Sequence, residues 1–122
     1  MKKDHTTFCI TKELKDVMEY LISREDIPST LFLKRALKMF LDGDRKVDDR
    51  VLIKKRTHPD YIRRDTPIGN YVDPEQMQQI RELEKEMGYN KSQIVFQALL
   101  EYCAYLITLD RTGIVIHDTN RE

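Results

Sequence analysis

Three consecutive polar residues, Asn90-Lys91-Ser92, stand where a helical pattern is about to begin, in the stretch MGYNKSQIVFQALLEY that spans 87–102. Gly88 closes the pattern before them, and an apolar run follows. A helix start offers unpaired backbone N–H groups and the positive end of the helix dipole, both of which favour a phosphate. Asn90 adds a cap, Lys91 a charge and Ser92 a hydroxyl. These residue types suit the holding of an anion. Catalysis has no comparable signal. The chain has no glycine-rich phosphate loop and no nucleophile motif. Carboxylates such as Glu82 and Glu86 fall on a polar helix face, and His5, His58 and His117 lack metal-ligand spacing. No enzymatic activity, cofactor or metal is expected.

The elements that must position this helix start belong to a short chain. Its 122 residues allow one compact domain, and 40% hydrophobic with 34% charged residues is a globular composition. The 21 basic and 21 acidic residues balance, which gives no overall pull toward nucleic acid. Their distribution is uneven. Residues 1–41 and 42–66 each carry eight basic and six acidic residues, whereas 67–122 carry five and nine. The front of the chain is therefore net positive and the back net negative. Cys9 and Cys103 are too few and too far apart for a disulfide framework or zinc site, and read as reduced thiols in a cytoplasmic protein. No apolar run is expected to reach the roughly 18 residues of a membrane span, and MKKDHTTFCI lacks the apolar core of a secretory signal. No membrane partner is expected.

Periodicity places the elements. Phe8 and Ile10 fall on one side of a short extended segment, with Thr7 and Cys9 on the other. Thr11 is a good N-cap, and Leu14, Val17, Met18, Leu21 and Ile22 follow with the spacing of an amphipathic helix. EDIPST breaks that helix, because Pro28 cannot continue it but is tolerated near the start of another. The next helix turns Phe32, Leu33, Ala36, Leu37, Phe40 and Leu41 inward, and Asp42-Gly43-Asp44 stops it.

A register shift of 62 repeats the unit without a gap: Ile10 falls on Val72, Met18 on Ile80, Leu21 on Leu83, Thr30 on Ser92, Leu37 on Leu99 and Phe40 on Tyr102. One unit alone buries too little apolar surface to be stable. The economical arrangement packs the two copies together and pairs their strands as an antiparallel ribbon. The expected architecture is mainly α with that short β-ribbon. The expected divisions are a first unit over 5–41, a basic linker over 42–66, a second unit over 67–107 and a tail over 108–122. Within the linker, VLIKKR or PDYIRRD is expected to form a short strand or a turn of helix. Residues 45–64 hold eight basic and three acidic residues, which reads either as a solvated linker or as an arm contacting a nucleic-acid backbone. GIVIHD in the tail reads as an edge strand or a clamp.

With these residues in place, the pattern resembles the ribbon-helix-helix family of DNA-binding proteins. GYNKSQIVFQALLEY is similar to that family's second-helix signature: Gly, a polar cap, Ser or Thr in the first turn, then an apolar helix containing Ala. The first copy departs from it, with Asp26 and Pro28 where Gly and a capping residue would stand. Most members carry one unit per chain and dimerise, so a tandem pair resembles a single-chain pseudo-dimer, an arrangement found among accessory proteins of conjugative plasmid transfer.

The resemblance implies double-stranded DNA as partner, with the ribbon in the major groove and the second-helix starts on phosphates at either side. The phosphate-contacting residues would be Ser29 and Thr30 in the first copy and Asn90, Lys91 and Ser92 in the second. The base-reading residues would be Lys3, His5, Thr7 and Cys9 in the first strand and Tyr71 in the second, beside Pro67 and Gly69, which offer little. Asn70 stands where an apolar residue belongs, so the second strand is either in register, bulged or shifted by one. The implied role is regulation of a mobile element or assistance in plasmid DNA transfer, with a relaxase or another DNA-processing protein as a further partner and two chains docking on DNA. The competing expectation is a protein-interaction module that keeps the fold without sequence-specific DNA binding.

Overall fold

Alternation around Phe8 produces strand β1 (Asp4–Ile10), in which Phe8 and Ile10 are fully buried while His5 and Thr7 are exposed. Thr11 ends the strand and caps helix α1 (Lys12–Glu25), its side chain accepting the N–H of Leu14 at 3.1 Å. α1 turns Leu14, Met18 and Leu21 into the core. Asp26 then takes a left-handed conformation, φ 54°, with its N–H on the carbonyls of Ile22 and Ser23. Pro28 is the N-cap of helix α2 (Ser29–Asp42) and supplies no side-chain hydrogen bond. α2 buries the six apolar residues that its spacing singles out, and Gly43 closes it.

The order then recurs as strand β2 (Thr66–Val72), helix α3 (Pro74–Met87) and helix α4 (Lys91–Arg111). A shift of 62 residues carries both ends of β1 onto β2, both ends of α1 onto α3, and the start of α2 onto the start of α4. Gly88, at φ 73°, occupies the left-handed place that Asp26 fills in the first half. The structure, a computed structural model, describes residues 4–111, and among these it has four helices and one two-stranded antiparallel sheet. The strands pair in continuous register from Asp4 opposite Val72 to Ile10 opposite Thr66, with Thr7 opposite Gly69 at the centre. β2 is therefore neither bulged nor shifted, and Asn70 points inward, 8% exposed.

α4 is the centre of the fold and packs against α2, β1, α1 and α3. Gln93 to Leu99 are buried without interruption. It is long and apolar enough to cross a bilayer by length and composition alone, an 18-residue stretch of it having mean hydropathy 1.3, contrary to the expectation that no segment reaches that length; half of that stretch is buried inside the fold. It also continues to Arg111, past residue 107, because Leu106 is buried and Arg24 of α1 pairs with Asp110. GIVIHD lies outside the described residues.

The connection 43–65 forms no strand; the N–H groups of Val51, Leu52 and Ile53 bond back to Asp48, Asp49 and Arg50, a single helical turn at the start of VLIKKR, and PDYIRRD forms no helix. The connection is nonetheless docked. Val47 and Val51 enter the core at 4% and 1% exposure, and the N–H of Asp48 donates to Gln97 Oε1 at 2.9 Å. Arg45 donates to the Leu41 carbonyl at 2.6 Å and to Gln79 Oε1 at 2.8 Å.

Candidate nucleic-acid interface

The outer face of the ribbon carries His5, Thr7 and Cys9 from β1 and Pro67, Gly69 and Tyr71 from β2; all are exposed except Cys9, which is half-buried. Lys3 lies outside the described residues. The pairing sets Tyr71 opposite His5, and their rings meet edge to face with centroids 4.9 Å apart. The His5 ring also lies across Gly69, where a Cβ would come within 2.9 Å of its Cε1. Gly69 offers no group of its own, but it makes the room in which that ring lies. Side chains able to meet a base edge thus gather at one end and the middle of the ribbon: His5, Thr7 and Tyr71. Cys9 faces Pro67 at the other end. Among the described residues the unevenness runs from end to end of the ribbon, with two of the three groups on β1 and one on β2.

Each helix start is tied to one outer edge of the ribbon, by different chemistry. At α4, Asn90 Oδ1 accepts the N–H of Gln93 at 2.8 Å and Gln93 Oε1 accepts the N–H of Asn90 at 2.9 Å, a reciprocal capping box. Asn90 is thereby a stiffener of this start. Ser92 Oγ accepts the N–H of Cys9 at 3.5 Å, so its own proton remains available to an anion. Lys91 Nζ stands 5.8 Å from the centre of the Phe8 ring. At α2, Thr30 Oγ1 donates to Asn70 Oδ1 at 2.7 Å, and the same oxygen accepts the N–H of Tyr71 at 2.9 Å. The Thr30 proton is committed inward, and the exposed hydroxyl of Ser29 is the donor left at this start. Ser29 lines an open cleft with Lys15, Glu19, Ser23, Gly69 and Asn70.

Basic residues from the connection approach the α4 side. Arg64 donates to the Val51 carbonyl at 3.1 Å and lies 5.5 Å over the Phe96 ring, while Arg63 pairs with Asp65 at 2.9 Å. The two cysteines are free thiols; burial pushes that of Cys103 up to about 12. Among the described residues no three of His, Cys, Asp and Glu converge as a metal site requires.

Three features were not singled out in the sequence. Gln93 was readable, since Asn-x-x-Gln is the spacing of a capping box. The notch at Gly69 and the Thr30–Asn70 bond depend on strand register and carry no local signal. No family model matches the chain, and neither a curated protein nor a solved structure matches it.

Proposed function

We propose that the chain is a non-enzymatic DNA-binding protein, two ribbon-helix-helix units fused as a single-chain pseudo-dimer. The ribbon enters the major groove with His5, Thr7 and Tyr71 toward base edges, and the starts of α2 and α4 take phosphates on either side. One observation carries this reading. β1 and β2 pair about a centre at Thr7 and Gly69, their outer face exposes His5, Thr7, Pro67, Gly69 and Tyr71, and a helix start flanks each edge. The role that suits such a protein is regulation of a mobile element or assistance to a DNA-processing enzyme such as a relaxase, with two chains able to dock on neighbouring sites.

Mobility shift with random duplex DNA at low salt is the first test. The protein should bind, and Lys91→Ala should weaken all sequences alike while lowering the salt slope by about one, the signature of one phosphate contact. Thr7→Ala should instead change the preference among sites, by about 1–3 kcal/mol at a single position. Equal loss on preferred and random DNA would remove the ribbon from the readout. The balanced charge and the featureless Cys9–Pro67 end favour a second reading, a protein-interaction module with the same fold. Absence of DNA binding at any salt would select it.

A further inference from the structure

The connection between the halves presents a second charged surface. It is fastened at both ends to α4 and its approach. On entry the N–H of Val47 donates to the Tyr89 hydroxyl at 3.4 Å, the N–H of Asp48 to Gln97 Oε1, and Val51 is buried. On exit Arg64 holds the Val51 carbonyl and covers Phe96. Between these anchors residues 54–60 are all exposed, and they include Lys54, Lys55, Arg56 and one carboxylate, Asp60.

Three consecutive cations without a carboxylate partner set this run apart; Lys15, Arg35, Lys46, Arg81, Lys85 and Lys91 also hold none among the described residues, but they do not form such a run. Lys12, Lys34, Lys38 and Arg63 each hold a carboxylate at 3.3, 3.2, 2.8 and 2.9 Å. Among the described residues Lys54, Lys55 and Arg56 hold none. Asp48 does not offset them, because the side-chain hydrogen bond from Arg50 occupies it and holds its carboxyl below the usual carboxylate range. A closed loop keeps three uncompensated charges on a docked platform, which lowers the ordering cost of using them together. Phe96, under Arg64, is five residues along α4 from Lys91, a rise of about 7.5 Å along the helix axis with a turn of about 140° around it. The platform is thus anchored to the first two turns of the helix that carries Lys91 at its start, and among the described residues no such loop is fastened to the first turns of α2.

We infer that the loop 54–60 is an additional contact to the DNA phosphate backbone, on the α4 flank only, which lengthens the bound site on one side. The inference rests on the DNA-binding reading above. An acidic protein surface would meet the same charges, but the neighbouring helix start with Lys91 and the Ser92 hydroxyl favours a run of phosphates.

The test compares the full chain with a Lys54→Ala/Lys55→Ala/Arg56→Ala variant on one duplex and on random DNA over a series of salt concentrations, with hydroxyl-radical footprints. These side chains are exposed and unpaired, so circular dichroism and thermal midpoint should match the parent. The variant should lose about 2–3 from the salt slope, at about 0.9 per phosphate contact. It should lose affinity equally on both DNAs, and its footprint should shorten at one end. Lys38→Ala, at a lysine already paired with Asp42, should leave the slope as it was. Parental binding with an unchanged slope and footprint in the triple variant would overturn the inference and leave the DNA-binding reading standing. Unchanged DNA binding with lost binding to poly-glutamate would overturn it in favour of an acidic protein partner. If the parent itself fails to bind DNA, the underlying reading fails, and this one with it.

Discussion

Phe8 and Asn70 hold the same place in the two halves of the molecule, as do Thr30 and Ser92, yet the contacts between them run in opposite directions. In one half Phe8 fills the core, and Ser92 reaches past it to accept the N–H of Cys9. In the other, Asn70 replaces the ring and accepts both Thr30 Oγ1 and the N–H of Tyr71. The backbone frame is common to both, because strand pairing and helix starts are fixed by the same spacing. The direction of the hydrogen bond is not common, and it decides what each helix start can give to a ligand: a hydroxyl proton from Ser92, none from Thr30. The outer helix surfaces diverge in the same sense. Lys34 and Lys38 of α2 are exposed, whereas Phe96, at the Lys34 position of α4, is buried with Arg64 stacked over it.

The sharpest way to break this comparison is to remove both occupants of the shared strand position. Phe8→Ala deletes a fully buried ring and should cost about 3–5 kcal/mol in chemical denaturation. Asn70→Ala should cost less, about 1–3 kcal/mol, chiefly by leaving Thr30 and the Tyr71 N–H without an acceptor. Pairing it with Thr30→Val in a double-mutant cycle should give a coupling of about 0.5 kcal/mol or more. If Asn70→Ala and Thr30→Val are additive, the bond at 2.7 Å carries no stability and the two starts differ in name only.

Much of the frame is legible in the sequence, and the reasons are local. Thr11, Pro28, Gly43 and Gly88 mark helix ends through backbone chemistry that acts within a few residues. The period of α1 and α2 names their buried faces directly. What is illegible depends on partners far along the chain. Asn70 reads as an error in an apolar strand position until Thr30, forty residues earlier, is known to meet it. VLIKKR reads as a solvated or regular segment because nothing near it announces that Val51 will enter the core or that Asp48 will bond to Gln97 of α4. α4 extends beyond residue 107 for a similar reason, since its last turn is held by Arg24 of α1. Among the candidate site residues, Thr7, His5 and Tyr71 share the outer face that their parity implies, but the contact of the His5 and Tyr71 rings follows from the register alone.

A smaller effect separates the two helix starts themselves. Asn90→Ala removes the capping oxygen that Gln93 uses and should cost about 1 kcal/mol. Pro28→Ala, at the equivalent place, removes no side-chain hydrogen bond. Its cost should stay within about 0.4–1 kcal/mol, from the freedom the unfolded chain regains. Thermal denaturation of the two variants side by side measures the difference. Equal losses with a matching loss in an Asn90→Ala/Gln93→Ala pair would mean that the capping box adds nothing to the α4 start.

The smallest expected change in stability lies at the centre of the ribbon, where the comparison becomes one of reading and not of folding. Gly69 faces Thr7 across the pairing centre and sits beneath the His5 ring. Gly69→Ala puts a methyl 2.9 Å from His5 Cε1 and 3.9 Å from Thr7 Oγ1. The ring is the free end of an exposed side chain, so it can swing away, and alanine suits an extended backbone at least as well as glycine. Stability should therefore change by no more than about 0.5 kcal/mol, as for other surface positions. The His5–Tyr71 contact should not survive, because the ring that leaves Gly69 also leaves the edge of Tyr71. In a nuclear magnetic resonance spectrum the aromatic shifts of both rings should move while amide shifts in α1 to α4 stay in place. If the ribbon reads DNA, the preferred site should change at the positions beneath His5 and Tyr71, and binding to random DNA should hold. An unchanged site preference, with both rings displaced, would show that this end of the ribbon touches no base and would move the search for contacts to Thr7.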